Sequence, residues 1–295
     1  MQKQGASQIR AKCSLALMLA SKAPVAVVLR RGPTNWVQMI RWDLRNDSFE
    51  AGQWFKGRIY PELSELSEDG ELLLYSARKT TGWTLNRRND IGDTWTAISR
   101  PPYFTALALW ANGCWTGGGI FTDTRGVKID LPYPKPHAQL PTPQLEVQGT
   151  PELGLLPLSL RIALRAHWAP LDQPVEALHD IHWQLKTRQS KEIGQGAVRI
   201  IKSTHKGKHW MLRTSFSVSN VHGETDLGEA DLVDFDSRGR LIQSRDGRLL
   251  VCDRPSEADL QWRELADFSA SRPAPLPPKE WAIEWPPTAV EDVER

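Results

Sequence analysis

Apolar and polar positions alternate with the period of a strand along most of this chain, and only short stretches carry a helical period. Residues 15–20 and 25–30 are two such runs, separated by Ser21, Lys22, Ala23 and Pro24, and predict a hairpin. Residues 37–42 predict the next strand. Ser67, Asp69 and Gly70 then precede the apolar run 72–75, where an Asp-Gly pair supplies the positive φ of a tight turn. The string returns as Ser244, Asp246 and Gly247 before residues 249–251, with a relative at Asp236 and Gly239 before Leu241 and Ile242. Residues 104–110, followed by Asn112 and Gly113, predict another hairpin. Helix-compatible sequence occurs around 158–167 and 175–185, within a proline-rich region that predicts an irregular elaboration over 131–195. Near the end, Trp281, Ile283 and Trp285 alternate as a strand would.

A second pattern is superimposed on the strands: a polar turn followed by a tryptophan. Asp90, Gly92, Thr94 and Trp95 form the clearest copy, and Ser203, His205, Gly207, His209 and Trp210 repeat its spacing. Looser copies run from Asp47 through Gly52 to Trp54 and from Ser256 through Asp259 to Trp262. The intervals from Trp54 to Trp95 and from Trp210 to Trp262 match propeller blades of roughly 40–50 residues. The longer middle interval leaves room for a unit without its tryptophan, with a degenerate turn at Asp123 and Gly126. A carboxylate can accept turn N–H groups, a glycine can take the positive φ, and the indole can pack one hairpin onto the next sheet.

This turn-tryptophan unit resembles the Asp box, or BNR repeat, of sialidase-like β-propellers, whose pattern is S-x-D-x-G-x-T-W. Residues 88–95 match it with Arg88 in place of Ser. Residues 203–210 match it with His205 in place of Asp and His209 in place of Thr. The resemblance implies an all-β propeller of about five blades spanning 1–289, with a frayed tail at 290–295. It implies structural roles for Asp90, Gly92, Thr94, Trp95, Ser203, Gly207, Trp210, Trp54 and Trp262, since Asp boxes lie on the blade periphery. Two packed β-sandwich domains are the rival architecture. A second set of strings, around Trp36–Tyr60 and Thr94–Tyr103, is similar to a family of uncharacterised bacterial proteins and brings no activity with it.

Composition narrows the function classes. The 295 residues carry 37 basic and 35 acidic side chains, so no global field draws the chain to nucleic acid or an anionic surface. Thirteen tryptophans suit a repeated position that is packed yet edged by polar atoms. The cysteines, Cys13, Cys114 and Cys252, are scattered and odd in number, which supports neither a disulfide framework nor a zinc ribbon. Lys3, Arg10 and Lys12 before the apolar run 13–20 imitate a leader. The run is short, however, and Leu15, Leu17 and Leu19 alternate, so the expected compartment is the cytoplasm, with secretion as the alternative.

Candidate chemistry is sparse. His179 and His182 would share a helical face as a metal pair, but no third ligand accompanies them, and no metal or cofactor is expected. His205, His209, Lys202, Lys206 and Lys208 read as a solvated basic loop. Gly117, Gly118 and Gly119 lie between strands, which points to close packing instead of a phosphate loop. A sialidase-like site would need arginines that converge, and Arg41, Arg58, Arg100, Arg161, Arg165 and Arg213 are the candidates. The expectation is therefore a non-enzymatic binding or scaffold protein that docks a protein partner on its propeller face or proline-rich segment. The alternative is a carbohydrate-binding or glycoside-hydrolysing propeller.

Overall fold

The structure is a computed structural model. It describes residues 13–85, 91–112, 117–122, 126–142, 145–149, 156–180, 182–185, 187–206 and 212–287. The architecture is all-β, and the described residues form twenty strands in five sheets, none of them closed into a barrel. Sheet 1 comprises β1 (Ser14–Leu19), β2 (Val25–Arg31), β3 (Trp36–Asp43) and β4 (Ser48–Lys56). Sheet 2 comprises β5 (Arg58–Leu66), β6 (Leu73–Arg78), β7 (Thr94–Ser99) and β8 (Ala106–Ala111), with the short helix α1 (Gly82–Leu85) between β6 and β7. Both are antiparallel meanders.

Sheet 3 holds β9 (Gly119–Phe121), β10 (Gly126–Ile129) and β11 (Glu146–Gln148), the last running parallel to β10. Helix α2 (Leu158–Arg165) follows. Sheet 4 holds β12 (Ala169–Pro170), β13 (Gln189–Ile193), β14 (Val198–Lys206), β15 (Leu212–Asn220) and β16 (Gly223–Glu229). Sheet 5 holds β17 (Leu232–Phe235), β18 (Leu241–Arg245), β19 (Arg248–Cys252) and β20 (Trp262–Asp267). The stretch expected to be irregular thus supplies β11, α2, β12 and β13. Among the described residues no helix is long and apolar enough to cross a membrane.

The two-residue period of a strand sends successive side chains to opposite faces, and here it divides them between different cores. On β2, Val27 and Leu29 join Met39, Leu73 and Tyr75 between sheets 1 and 2, while Ala26 and Val28 join Trp42, Ile242 and Leu249 between sheets 1 and 5. On β6, Leu73 and Tyr75 face sheet 1, whereas Leu74 packs with Ile98, Trp110, Phe121 and Val127 between sheets 2 and 3. Val198, Ile200, Phe216 and Val218 of sheet 4 pack on Val233, Phe235 and Leu241 of sheet 5. The sheets therefore stack in the order 3, 2, 1, 5, 4. Helix α2 touches both ends of that series: Leu158 and Ile162 pack on Leu63 and Ile120, while Ala163 reaches Trp168.

The Asp-Gly turns form as expected. Gly70 and Gly247 have φ of 75° and 80°, and Asp246 also sits at positive φ, 53°, in a two-residue turn with Arg245 opposite Arg248. Ser67 Oγ donates to Asp69 at 2.6 Å, and the Glu71 N–H donates to the same carboxylate. Glycine has a different use at position 52. A Cβ there would lie 1.9 Å from the Pro102 carbonyl, so only glycine lets β4 meet the β7–β8 loop. The Gln53 N–H donates to that carbonyl, and Gln53 Oε1 accepts from the Phe104 and Thr105 N–H groups.

The closing strand expected at 281–285 is not one. Residues 280–283 form a 3₁₀ turn, and no strand pairs with the free side of β1 among the described residues. After β20 the chain runs as a strap over its own sheets. Arg30 donates to the Phe268 carbonyl, Gln53 to Leu276, Lys279 pairs with Glu50 at 2.8 Å, and Arg100 donates to Trp281. Arg100 stacks over the Trp281 ring at 4.8 Å, and Trp285 packs on the core between sheets 2 and 3.

Candidate binding sites

Of the described turn tryptophans, two fall on the fourth strand of their sheets, Trp54 and Trp262, and Trp95 on a third. Trp54 lies within β4, Trp95 near the start of β7, the third strand of its sheet, and Trp262 at the start of β20, the fourth. All three are partly buried; among the described residues the fully buried indoles are Trp42, Trp110 and Trp183. Trp95 packs edge-on against Phe55 at 5.8 Å, and Trp54 against Trp36 at 6.5 Å with Arg30 above it. Gly92 has the expected positive φ, and Thr94 is buried with its hydroxyl on the Asn112 carbonyl. Ser203 belongs to strand β14, opposite Ser215, and does not open a turn. Asp90, Gly207, Trp210, His209, Lys208, Cys114 and Asp123 lie outside the described residues.

The carboxylate of Asp47 is used both within its own hairpin and across sheets. It accepts the Trp42 indole N–H at 3.3 Å and both terminal nitrogens of Arg240 at 2.7 Å. Arg240 is only 4% exposed on its side chain, and its Nε also donates to Asp236 at 2.7 Å. These bonds hold the Asp47 carboxyl below the usual carboxylate range. Asp47 thereby pins the β3–β4 turn of sheet 1 to sheet 5.

The other sequence candidates disperse. Arg100, Arg165 and Arg213 pair with Glu71, Glu65 and Glu229, in three different places. Residues 175–177 and 183–185 are separate 3₁₀ turns, so His179 and His182 share no helical face; both are exposed. Among the described residues no cluster of three or more metal-type ligands occurs. Lys202 is not on a loop. It sits partly buried on β14 with its Nζ 5.6 Å from the Trp168 ring centre, and burial lowers its pKa. Cys13 and Cys252 are buried free thiols whose pKa values burial raises. A Cβ on Gly118 would lie 2.2 Å from the Leu63 carbonyl, so this glycine does serve close packing.

Two surface features remain. In the proline-rich segment, the Leu131 side chain packs on the core between sheets 2 and 3, and the His137 N–H donates to Leu109 at 2.8 Å. Between these anchors Tyr133, flanked by Pro132 and Pro134, stands 92% exposed.

The second feature is a cleft of about 540 Å³ where edge strand β16 meets sheet 5, lined by Thr225, Asp226, Leu227, Gln243, Arg245 and residues 258–262. The loop before β20 is tied to sheet 4 by Asn220, whose amide donates to the Pro255 and Glu257 carbonyls. A second depression of about 440 Å³, lined by Ser203, Ser215, Ser217, Glu224 and Asp226, lies beside it and shares Asp226. Sequence reading placed Trp262 in a structural turn and gave no sign of Gln243, which sits in an ordinary strand.

No protein-family model matches the sequence, and no curated protein matches it. Among solved structures, the chain is similar to an acylaminoacyl peptidase from Pyrococcus horikoshii at 11% identity and a TM-score of 0.32. That alignment covers 86% of this chain and 45% of the peptidase, so the chain spans less than half of that protein. It is also similar to an uncharacterised protein from Listeria monocytogenes at 12% identity and a TM-score of 0.32, over 92% of this chain and 88% of the other.

Proposed function

We propose that the chain is a non-catalytic binding protein built as a five-bladed propeller, and that it offers the segment around Tyr133 to an aromatic-lined groove on a partner protein. The propeller reading is supported by five consecutive sheets, each packed on its neighbour, with α2 touching both ends of the series. The observation that carries the docking reading is Tyr133, almost fully exposed between two prolines on a segment anchored at both ends. Proline restricts the unbound segment, so little conformational entropy is lost when a groove closes on it. A tyrosine adds a rigid apolar ring with one polar tip, a side chain suited to interface anchoring.

The test is capture from the native host with the immobilised full chain and its Tyr133→Ala variant. A protein retained by the first, lost by the second and displaced by a peptide covering residues 130–138 is the expected result. Identical retained sets, or turnover of aryl glycosides by the purified chain, overturn the reading. A crystal structure with the five sheets in an open row instead of a ring overturns the propeller.

A further inference from the structure

We propose that the cleft between β16 and sheet 5 is a binding site for a neutral oligosaccharide. Its most telling member is Gln243. This residue is 9% exposed and lines the cleft, so its side-chain amide is placed to meet a ligand there. A primary amide offers two donors and an acceptor to a ligand that enters the cleft. Here the amide borders an opening of about 540 Å³, within the range of small-molecule sites.

The remaining lining selects the ligand class. Trp262 is partly buried and packs, with Leu227 and Leu260, on the core between sheets 4 and 5, so its ring is held in place beside the cleft. An indole face suits the C–H surface of a sugar ring, as it suits other surfaces that are apolar on one side and wet on the other. Gln243 and Gln261 each both donate and accept, and Asp226 and Asp259 accept. Sugar hydroxyls also donate and accept, and they complement such a set.

Charge excludes the acidic sugars. Two carboxylates face a single guanidinium, Arg245, which already donates to the Leu227 carbonyl at 2.8 Å. An anionic ligand would meet a net negative wall.

An extended peptide is the other occupant an edge strand invites, and local geometry opposes it. The register slips between Phe216 and Ser217 opposite this part of β16, and Gly228 takes a φ of 67°. The Gly228 N–H is used by Asp226 at 2.8 Å, and the Leu227 carbonyl by Arg245. A peptide adding to β16 would need those backbone groups. A sugar needs only the side chains.

The experiment is isothermal titration of the full chain with cellohexaose, maltohexaose, chitohexaose and xylohexaose, alongside 3′-sialyllactose and a lysine-rich decapeptide. At least one neutral hexasaccharide should bind with a Kd in the range of about 10 μM to 1 mM. Trp262→Ala should weaken that binding about tenfold or more, and Gln243→Leu about fivefold, with Tm within a few degrees of the parent. Asp259→Ala, on an exposed loop, serves if Trp262→Ala fails to fold, and should weaken binding about threefold.

Absence of binding by all four hexasaccharides at millimolar concentration overturns the proposal. So does tighter binding of sialyllactose or the peptide, or binding indifferent to all three substitutions. Tyr133→Ala should leave saccharide binding unchanged, so the cleft and the protein-docking reading stand or fall separately.

Discussion

Sheets 1 and 4 each contain strands of nine residues, yet they meet their surroundings differently. Sheet 1 is covered on both faces: Val27 and Leu29 look toward sheet 2, Ala26 and Val28 toward sheet 5. Sheet 4 buries Val198, Ile200, Phe216 and Val218 on sheet 5, while its other face carries Ser203, Ser215 and Ser217. Strands buried on both sides are constrained at every residue, and each side chain there is chosen by packing. A strand covered on one side has half its positions released from packing. Those positions line the smaller depression, and the larger cleft opens at the edge of the same sheet, beside β16. Stability and recognition thus occupy different sheets, and substitutions in the two should have different effects.

The largest loss is expected in sheet 1. Trp42→Ala should cost about 3–5 kcal/mol in urea unfolding, because a fully buried indole leaves a cavity between sheets 1 and 5. A loss below about 1 kcal/mol would mean that sheet 1 is not the packed centre.

Asp47→Ala comes next, at about 3 kcal/mol, since it strips the buried Arg240 of its bidentate partner. The same pair gives a pH signature. The folded Asp47 carboxyl titrates below its unfolded value, so its contribution is fully present above about pH 4 and is lost as pH falls through the depressed folded value. Asp47→Asn should flatten that part of the acid limb, and an unchanged limb counts against the pin between sheets 1 and 5.

Gly52→Ala is expected to cost about 1–3 kcal/mol by forcing β4 away from the Pro102 carbonyl, with thermal melts as the measure. The smallest effect belongs to sheet 4. Ser217→Ala, on the polar face, should change stability by no more than about 0.5 kcal/mol. A loss as large as that of Trp42→Ala would erase the contrast between the sheets.

The same contrast governs what could be read from the sequence. Residues 25–30 and 72–75 are apolar runs because both neighbours of the strand are protein, and they were legible as strands at once. Asp69-Gly70 and Asp246-Gly247 were legible because a positive φ admits few residue types. The turn tryptophans were legible only as local turns. A polar turn before a tryptophan fixes a local bend, but not the strand of a sheet on which the indole falls: Trp54 and Trp262 lie on fourth strands and Trp95 on a third. The deeply buried Trp42 and Trp110 had a plainer signal, their place in alternating apolar strands. Trp281 and Trp285 alternate with other residues because Arg100 and the core between sheets 2 and 3 each take one ring of the strap. The cleft was hidden because Gln243 and Trp262 meet only when β18 and the start of β20 come together, which no local spacing records.

The core joining Trp42 and Val28 to Ile242 and Leu249 also has a consequence in time. The first sheet leaves the ribosome long before the last, and translation at about 5–20 residues per second keeps them apart for roughly ten to fifty seconds. Throughout that interval one face of sheet 1 has no partner. That apolar face is covered only once sheet 5 is synthesised, and a message truncated after sheet 4 would leave it exposed, the kind of surface that promotes aggregation.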